Sequence, residues 1–407
     1  MLQTMFRIEA FSSLRNRDFR LLWSGIFLSM NGMQMQIVAR GWLVYTMTGS
    51  ALALGLVAAG MGVPLVLFSM FGGAVADRVP KRNLILAAQS GLSLINLVIT
   101  ILIISQKITL WHLVVSSFLT GTIFAFSMPT RQAFIVELVG QESLTNAIAL
   151  NSMAQNICRI ASPALGGVLL KVIGIPGVYC IVTASYALVV VTLTMIPRGG
   201  FSTPEPGRNI LHDITAGLRY MLGNKNLLTL LSIAFVPIIV ATPYNTLMPV
   251  FAKTIFKAGE TGLGLLMSAG GIGALCGSAI IATLGDYQRK GKLALICGSV
   301  FGISLVSFGM SKSLPMAFGF LLFVGAGGSM YMTLITTLIM GNTPQELLGR
   351  VMSIFVMTFG LMPLAMLPSG ALAQVIGAPA VVSGGGAVLF IFLIAIHLIN
   401  RDISRLK

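Results

Sequence analysis

Twelve long apolar runs, separated by short polar breaks, constrain this chain more than any other feature. They fall at about residues 19–46, 50–76, 83–106, 109–135, 143–170, 174–196, 226–252, 261–285, 292–311, 314–340, 347–374 and 377–399. A helix needs roughly 20 apolar residues to cross the hydrocarbon core of a bilayer, so each run suffices for one crossing. The longer runs tilt or reach into the headgroups. Only 9% of the 407 residues are charged and 56% are hydrophobic, whereas a soluble domain carries roughly 25% charged residues. A soluble globular enzyme is thereby excluded. The expected fold is an all-α integral membrane protein with twelve transmembrane helices in two pseudo-symmetric six-helix bundles.

The longest connection, 197–225, holds Pro204, Pro206, Arg198, Arg208, Arg219 and Lys225 and divides the runs into six and six. It sets the expected organisation: an N-terminal bundle over 1–196, a cytoplasmic linker over 197–225 and a C-terminal bundle over 226–407. The formal net charge is +15. Nineteen of the 26 Lys and Arg fall in alternate connections, or at the run ends beside them, that include both termini, five in the others and two deep inside the runs. Because basic loops are retained in the cytoplasm, this asymmetry predicts both termini inside. The excess charge needs no nucleic acid. No signal peptide is expected, since Glu9 and Asp18 stand among the N-terminal arginines and no small-residue cleavage site follows.

The chain also repeats itself. Gln141-Glu142-Ser143-Leu144, Gly166 and Val172-Ile173-Gly174-Ile175-Pro176 recur about 204 residues later as Gln345-Glu346-Leu347-Leu348, Gly370 and Val375-Ile376-Gly377-Ala378-Pro379. Gly55, Asp77 and Lys81 recur as Gly264, Asp286 and Lys290. Ordered landmarks of this kind predict two halves of the same topology.

Between the second and third runs stands Gly73-Ala74-Val75-Ala76-Asp77-Arg78-Val79-Pro80-Lys81-Arg82. This stretch closely resembles the GxLADRxGRK-type loop of the major facilitator superfamily. The pattern around Ala39-Arg40-Gly41-Trp42, Pro129-Thr130-Arg131-Gln132 and Asn146–Ser152 resembles its branch of bacterial siderophore (enterobactin-type) exporters and macrolide-type drug efflux proteins. Physically, Gly72 and Gly73 permit close helix approach, and Asp77 at a helix end can accept hydrogen bonds from another helix's N-terminus and pair with an arginine. The resemblance implies that this helix is the eleventh, with Arg131 a partner. Gly73, Asp77, Arg78, Lys81, Arg82 and Arg131 are thus expected to form a conformational lock that breaks when the protein opens inward.

Away from the ends of the runs only Arg40 and Arg159 carry full charge, and an intramembrane charge is costly enough to be a functional candidate. Arg40, about 9 Å from the outer end of its run at ~1.5 Å per residue, can snorkel to the interface. Arg159 has no such escape. Asn151 and Gln155 precede it at intervals of four, giving a polar stripe that must face another helix or a water-filled cavity. Gln36 shares a face with Arg40, with Asn31 and Gln34 deeper. The resemblance implies that runs one, four, seven and ten line a central cavity, adding Tyr244, Asn245 and Tyr331 as candidates. No Asp or Glu lies in mid-span, so the usual carboxylate of a proton-coupled antiporter is missing. Two arginines without an intramembrane counter-ion point to an anionic substrate. Coupling through Glu137, coupling through the substrate's own protonation, and facilitated diffusion stay open.

Cys158, Cys180, Cys276 and Cys297 lie in apolar runs without metal-ligand spacing, His112, His212 and His397 are scattered, and there is no phosphate loop. No metal, cofactor or enzyme activity is expected. The resemblance implies a monomeric alternating-access transporter in a bacterial inner membrane, exporting small amphiphilic or anionic molecules in exchange for protons. An importer or lysophospholipid-type flippase, or a non-transporting receptor or scaffold, are the alternatives.

Overall fold

In the computed structural model the described residues are 12–76, 79–197, 225–284, 287, 289–344, 351–352, 355 and 362–400. Among them every regular element is helical. A short 3-10 turn, Ser12–Arg15, leads into α1 (Arg17–Thr48), α2 (Ala51–Ala76), α3 (Lys81–Ile104) and α4 (Leu110–Thr194). The second half contains α5 (Lys225–Val240), α6 (Tyr244–Val250), α7 (Gly259–Leu284), α8 (Lys290–Gly309), α9 (Leu314–Gly341), α10 (Met362–Ile376) and α11 (Ala378–Ile399). Most of the expected linker 197–225, Asp77 and Arg78 of the loop, and the repeat residues Asp286 and Gln345–Leu348 fall outside the described residues.

The 85-residue α4 is three crossings joined by two sharp corners. Gly140 (φ 67°) and Gly174 (φ 69°) leave helical geometry there, in a left-handed region that a side chain resists. Segments 110–139, 141–173 and 175–194 result, matching the fourth, fifth and sixth apolar runs. The seventh run is not one helix. Ala241 and Thr242 both donate their backbone N–H to Pro237 O, and neither Pro237 nor Pro243 has an N–H to offer. The helix therefore breaks after Val240, restarts at Tyr244 and ends in a π-helical turn, Phe251–Ile255.

The chain forms two compact units, Met1–Met47 with Gly60–Glu205, and Thr48–Ala59 with Pro206–Lys407. The start of α2 thus belongs to the second unit and its remainder to the first. Each unit turns apolar side chains outward, for example Leu94, Ile101 and Ile104 on α3 and Ile391 and Leu398 on α11. Such faces suit a bilayer as solvent.

Side-chain hydrogen bonds and close glycine contacts both hold the helices of each unit together. Side-chain hydrogen bonds tie the helices of the first: Gln36 Nε2 donates to Asn96 Oδ1 at 2.6 Å, and Thr100 and Thr183 share a bond at 3.0 Å. In the second, glycine contacts are prominent. A Cβ added at Gly302 of α8 would lie 2.8 Å from Gly386 O of α11, and one at Gly386 would lie 2.6 Å from Gly302 O. Small residues let membrane helices approach closely, so dispersion there adds to polar bonds such as that of Ser278 with Ser329 at 2.8 Å. Gly302→Val is expected to lower stability by about 1–3 kcal/mol through overpacking, read as a fall in the melting temperature of the purified protein. Gly384→Val, on a helix face with open space around it, should leave that temperature nearly unchanged.

Candidate functional site

At the end of the first unit where α3 begins, the loop residues are bound into the bundle. Lys81 Nζ lies 3.2 Å from Glu137 Oε2, with side-chain exposures of 8% and 28%, the only ion pair among the described residues. Partial burial strengthens such a pair relative to a surface one and makes loss of either partner costly. Arg82 donates from Nε to Leu193 O at 3.2 Å and from Nη2 to Thr194 O at 3.1 Å. It thereby adds donors at the C-terminal end of α4, where positive charge complements the helix dipole, although the Leu193 carbonyl also accepts from Ile196 N. Arg131 Nη2 donates to Ser29 Oγ at 3.3 Å. Lys81, Arg82 and Arg131 thus join α1, α3 and α4. Gly73 lies on the last turns of α2; Asp77 and Arg78, the remaining residues of the expected lock, lie outside the described residues.

The intramembrane polar residues divide into two sets. One is spent on contacts inside its own bundle. Asn31 accepts from Ser162 Oγ at 2.6 Å and donates to Phe27 O and Cys158 Sγ. Gln36 is bonded to Asn96. Arg40 turns inward and donates from Nη1 to Ser117 Oγ at 2.8 Å. Tyr331, 1% exposed, donates to Ile233 O at 2.6 Å. Tyr244 is buried with its ring edge-on to Phe308, centroids 6.5 Å apart. Gln34 is half-buried, and the half-buried Asn245 donates to Thr242 O at 3.4 Å.

The other set is open. On segment 141–173, Gln155 and Arg159 are exposed on the surface of the first unit, flanked by exposed Ser152 and Asn156, and no hydrogen bond joins Gln155 or Arg159 to another described residue. Asn151 is half-buried, its Oδ1 buried without a partner. An exposed guanidinium and carboxamide in an otherwise apolar crossing can bind an acidic, hydrogen-bonding ligand; Arg in particular offers a planar fork of donors.

Sequence reasoning passed over several participants. Ser29, Gln89, Asn96, Ser117 and Ser162 receive or return the bonds just described. Gln89, Asn96 and Thr100, at intervals of seven and four, share one face of α3, a periodicity that marks a buried polar stripe. Gln374 is another such residue: its Oε1 accepts from Ser50 Oγ and from Ala51 N, each at 3.0 Å.

The profile of the transmembrane secretion effector family matches residues 8–403. Macrolide efflux protein A of Streptococcus pyogenes is 25% identical over 394 residues, covering 94% of this chain and 96% of that protein. Enterobactin exporter EntS of Shigella flexneri is 26% identical over 337 residues, covering 82% and 79%. Among solved structures, the nucleoside transporter NupG superposes with a TM-score of 0.75 at 12% identity, covering 96% of this chain and 100% of that one; at such identity the likeness speaks for the major facilitator fold alone. With an all-helical, multi-pass architecture and a family profile spanning nearly its whole length, the chain belongs to the transmembrane secretion effector family, whose members are membrane transporters of the major facilitator superfamily and not enzymes.

Proposed function

We propose that this protein exports small amphiphilic or anionic molecules from the bacterial cytoplasm across the inner membrane by alternating access, in exchange for protons, and acts as a monomer with both termini cytoplasmic. The observation that carries the reading is the open polar face of segment 141–173, where Gln155 and Arg159 project from an apolar crossing. A bilayer does not tolerate an unpartnered guanidinium facing lipid, so such a face belongs against water and substrate. The macrolide and enterobactin exporters among its relatives support an amphiphilic or acidic cargo and outward direction. Alternating access follows the plan of repeated halves around a midplane site.

The test is substrate-dependent proton movement in proteoliposomes holding the purified protein, with candidate drugs and acidic siderophore-type chelates supplied in turn. Export coupled to protons requires dissipation of an imposed pH gradient by at least one of them; substrate movement without proton movement would reduce the reading to facilitated diffusion. In an efflux-deficient host, Asp77→Asn is expected to abolish at least three-quarters of any protection that the native chain confers, because Asp77 is the centre of the expected lock. Full protection by Asp77→Asn at equal expression would remove the lock from the mechanism.

A further inference from the structure

One side chain of α1 grips the helical turn that carries Arg159. Asn31 Oδ1 accepts from Ser162 Oγ at 2.6 Å, and Asn31 Nδ2 donates to Cys158 Sγ at 3.1 Å and to Phe27 O at 2.9 Å. Both donors of the carboxamide are thereby used. Cys158 and Ser162 stand one turn apart on segment 141–173, with Arg159 between them in the chain. Cys158 is 1% exposed and Ser162 0%, whereas Arg159 is exposed.

The seam on either side of Asn31 keeps one register. Cys158 Sγ lies 3.7 Å from Phe27 O, Ser162 meets Asn31, and a Cβ added at Gly166 would lie 3.4 Å from Met35 Cα and 3.7 Å from Val38 Cβ. Phe27, Asn31 and Met35 follow at intervals of four on α1, as do Cys158, Ser162 and Gly166 on the segment, so the two helices run side by side in the same direction. The Gly166 contact is apolar, and such attraction has little directional preference. Hydrogen bonds do have one. Bonds from Asn31 to two residues a turn apart therefore fix both the rotation of the segment about its axis and its height along α1. At 3.6 residues per turn Arg159 stands about 100° around the helix from Cys158 and about 60° from Ser162. A modest rotation would carry it toward the seam and out of the open.

We infer, resting on the transport role proposed for this face, that Asn31 is a positioning residue: through Ser162 and Cys158 it holds segment 141–173 at the rotation that presents Arg159 to an acidic cargo. Its own donors are spent inside the bundle, so Asn31 acts on the cargo through Arg159.

The test needs no cargo. In the full-length protein in nanodiscs, with the exposed Cys180 and Cys276 replaced by serine, Arg159→Cys is labelled with the small anionic thiol reagent 2-sulfonatoethyl methanethiosulfonate. Rates are corrected for the chain that retains Arg159. The new cysteine is expected to react, and Asn31→Leu to slow that reaction by about threefold or more, the factor that an average interhelical hydrogen bond is worth in a membrane. The melting temperature should change little, because leucine keeps the volume and the freed Ser162 hydroxyl can return to a carbonyl of its own helix. Ser162→Ala should slow labelling by less, since Asn31 keeps its bond to Cys158. The two substitutions together should be no slower than Asn31→Leu alone, because both act on one contact. If Asn31→Leu does not fold, Ser162→Ala decides. A lowered melting temperature with an unchanged labelling rate would make Asn31 merely structural and overturn the positioning role. Slowing in the double variant equal to the product of the two single effects would overturn it as well. An Arg159→Cys chain that never reacts would show a face closed to water, and the transport role of that face would fall together with the role of Asn31.

Discussion

Arg159→Ala is expected to lower transport of anionic cargo by about 10- to 150-fold, the range set by losing one charge-assisted hydrogen bond of about 1.5–3 kcal/mol, while leaving the fold intact. The second half of that expectation follows from exposure. Arg159 has no hydrogen bond to another described residue and its side chain is open, so truncation removes neither packing nor a bundle contact. Arg159→Lys should recover only part of the activity, because an ammonium keeps the charge but not the two-pronged donor geometry. Gln155→Leu, one turn away, should raise the half-saturating substrate concentration with a smaller effect. The measurement is initial efflux rate against substrate concentration in proteoliposomes, with melting temperature as the folding control. An unchanged rate for every anionic candidate in Arg159→Ala would remove this face from the transport path. Loss of melting cooperativity would show that the residue is structural.

Much of the fold is legible in the sequence because bilayer solvation imposes one repeated rule. Runs read at 83–106 and 314–340 correspond to α3 and α9, Lys81–Ile104 and Leu314–Gly341. The corners at Gly140 and Gly174 fall where apolar runs gave way to polar residues or to glycine. The seventh run reads as a single helix by hydropathy, yet Pro237 and Pro243 mark the break that the structure shows; hydropathy is blind to missing N–H donors.

The candidate site is less legible because pairing is tertiary. Arg40 sits eight residues before the end of α1, about 12 Å at ~1.5 Å per residue, farther from the interface than the apolar run suggested. Its bond to Ser117, 77 positions away, has no local signature. Arg40 reads in sequence as near a run end and Arg159 as mid-run on a polar stripe, but neither reading fixes a partner. Only the surrounding helices decide that one is bound within the bundle and the other open. The same holds for Tyr331, a polar candidate by position whose hydroxyl is taken by the carbonyl of Ile233.

The second large effect is expected at the contact between the start of α2 and α10. Gln374 Oε1 accepts from Ser50 Oγ and Ala51 N, satisfying a donor that the first turn of α2 leaves without an intrahelical partner. One to two turns further, Gly55 and Gly370 meet. A Cβ at Gly55 would lie 2.6 Å from Met366 O, and one at Gly370 would lie 2.6 Å from Ala51 O and 3.2 Å from the Gly55 Cα. Backbone is in contact with backbone, so no side-chain rotation can make room. Gly370→Val is therefore expected to lift residues 48–59 off α10. At an overpacking cost of about 1–3 kcal/mol, the clasped population falls by about 5- to 150-fold relative to the unclasped one. Because α2 continues from this segment into the other unit, the change should also reach transport, slowing the cycle step in which the clasp forms. Crosslinking reports the population directly. In a background with the native cysteines replaced, Ser50→Cys and Gln374→Cys are joined by a short bifunctional maleimide, and the yield is compared with and without Gly370→Val. Gln374→Leu, which removes the cap and keeps the glycine contact, should have an effect of at most about tenfold on transport, in line with the ~1 kcal/mol usual for a helix cap. Equal crosslinking yields in the two backgrounds would mean that the glycine contact does not hold the clasp. A reduced yield with unchanged transport would place the clasp outside the cycle.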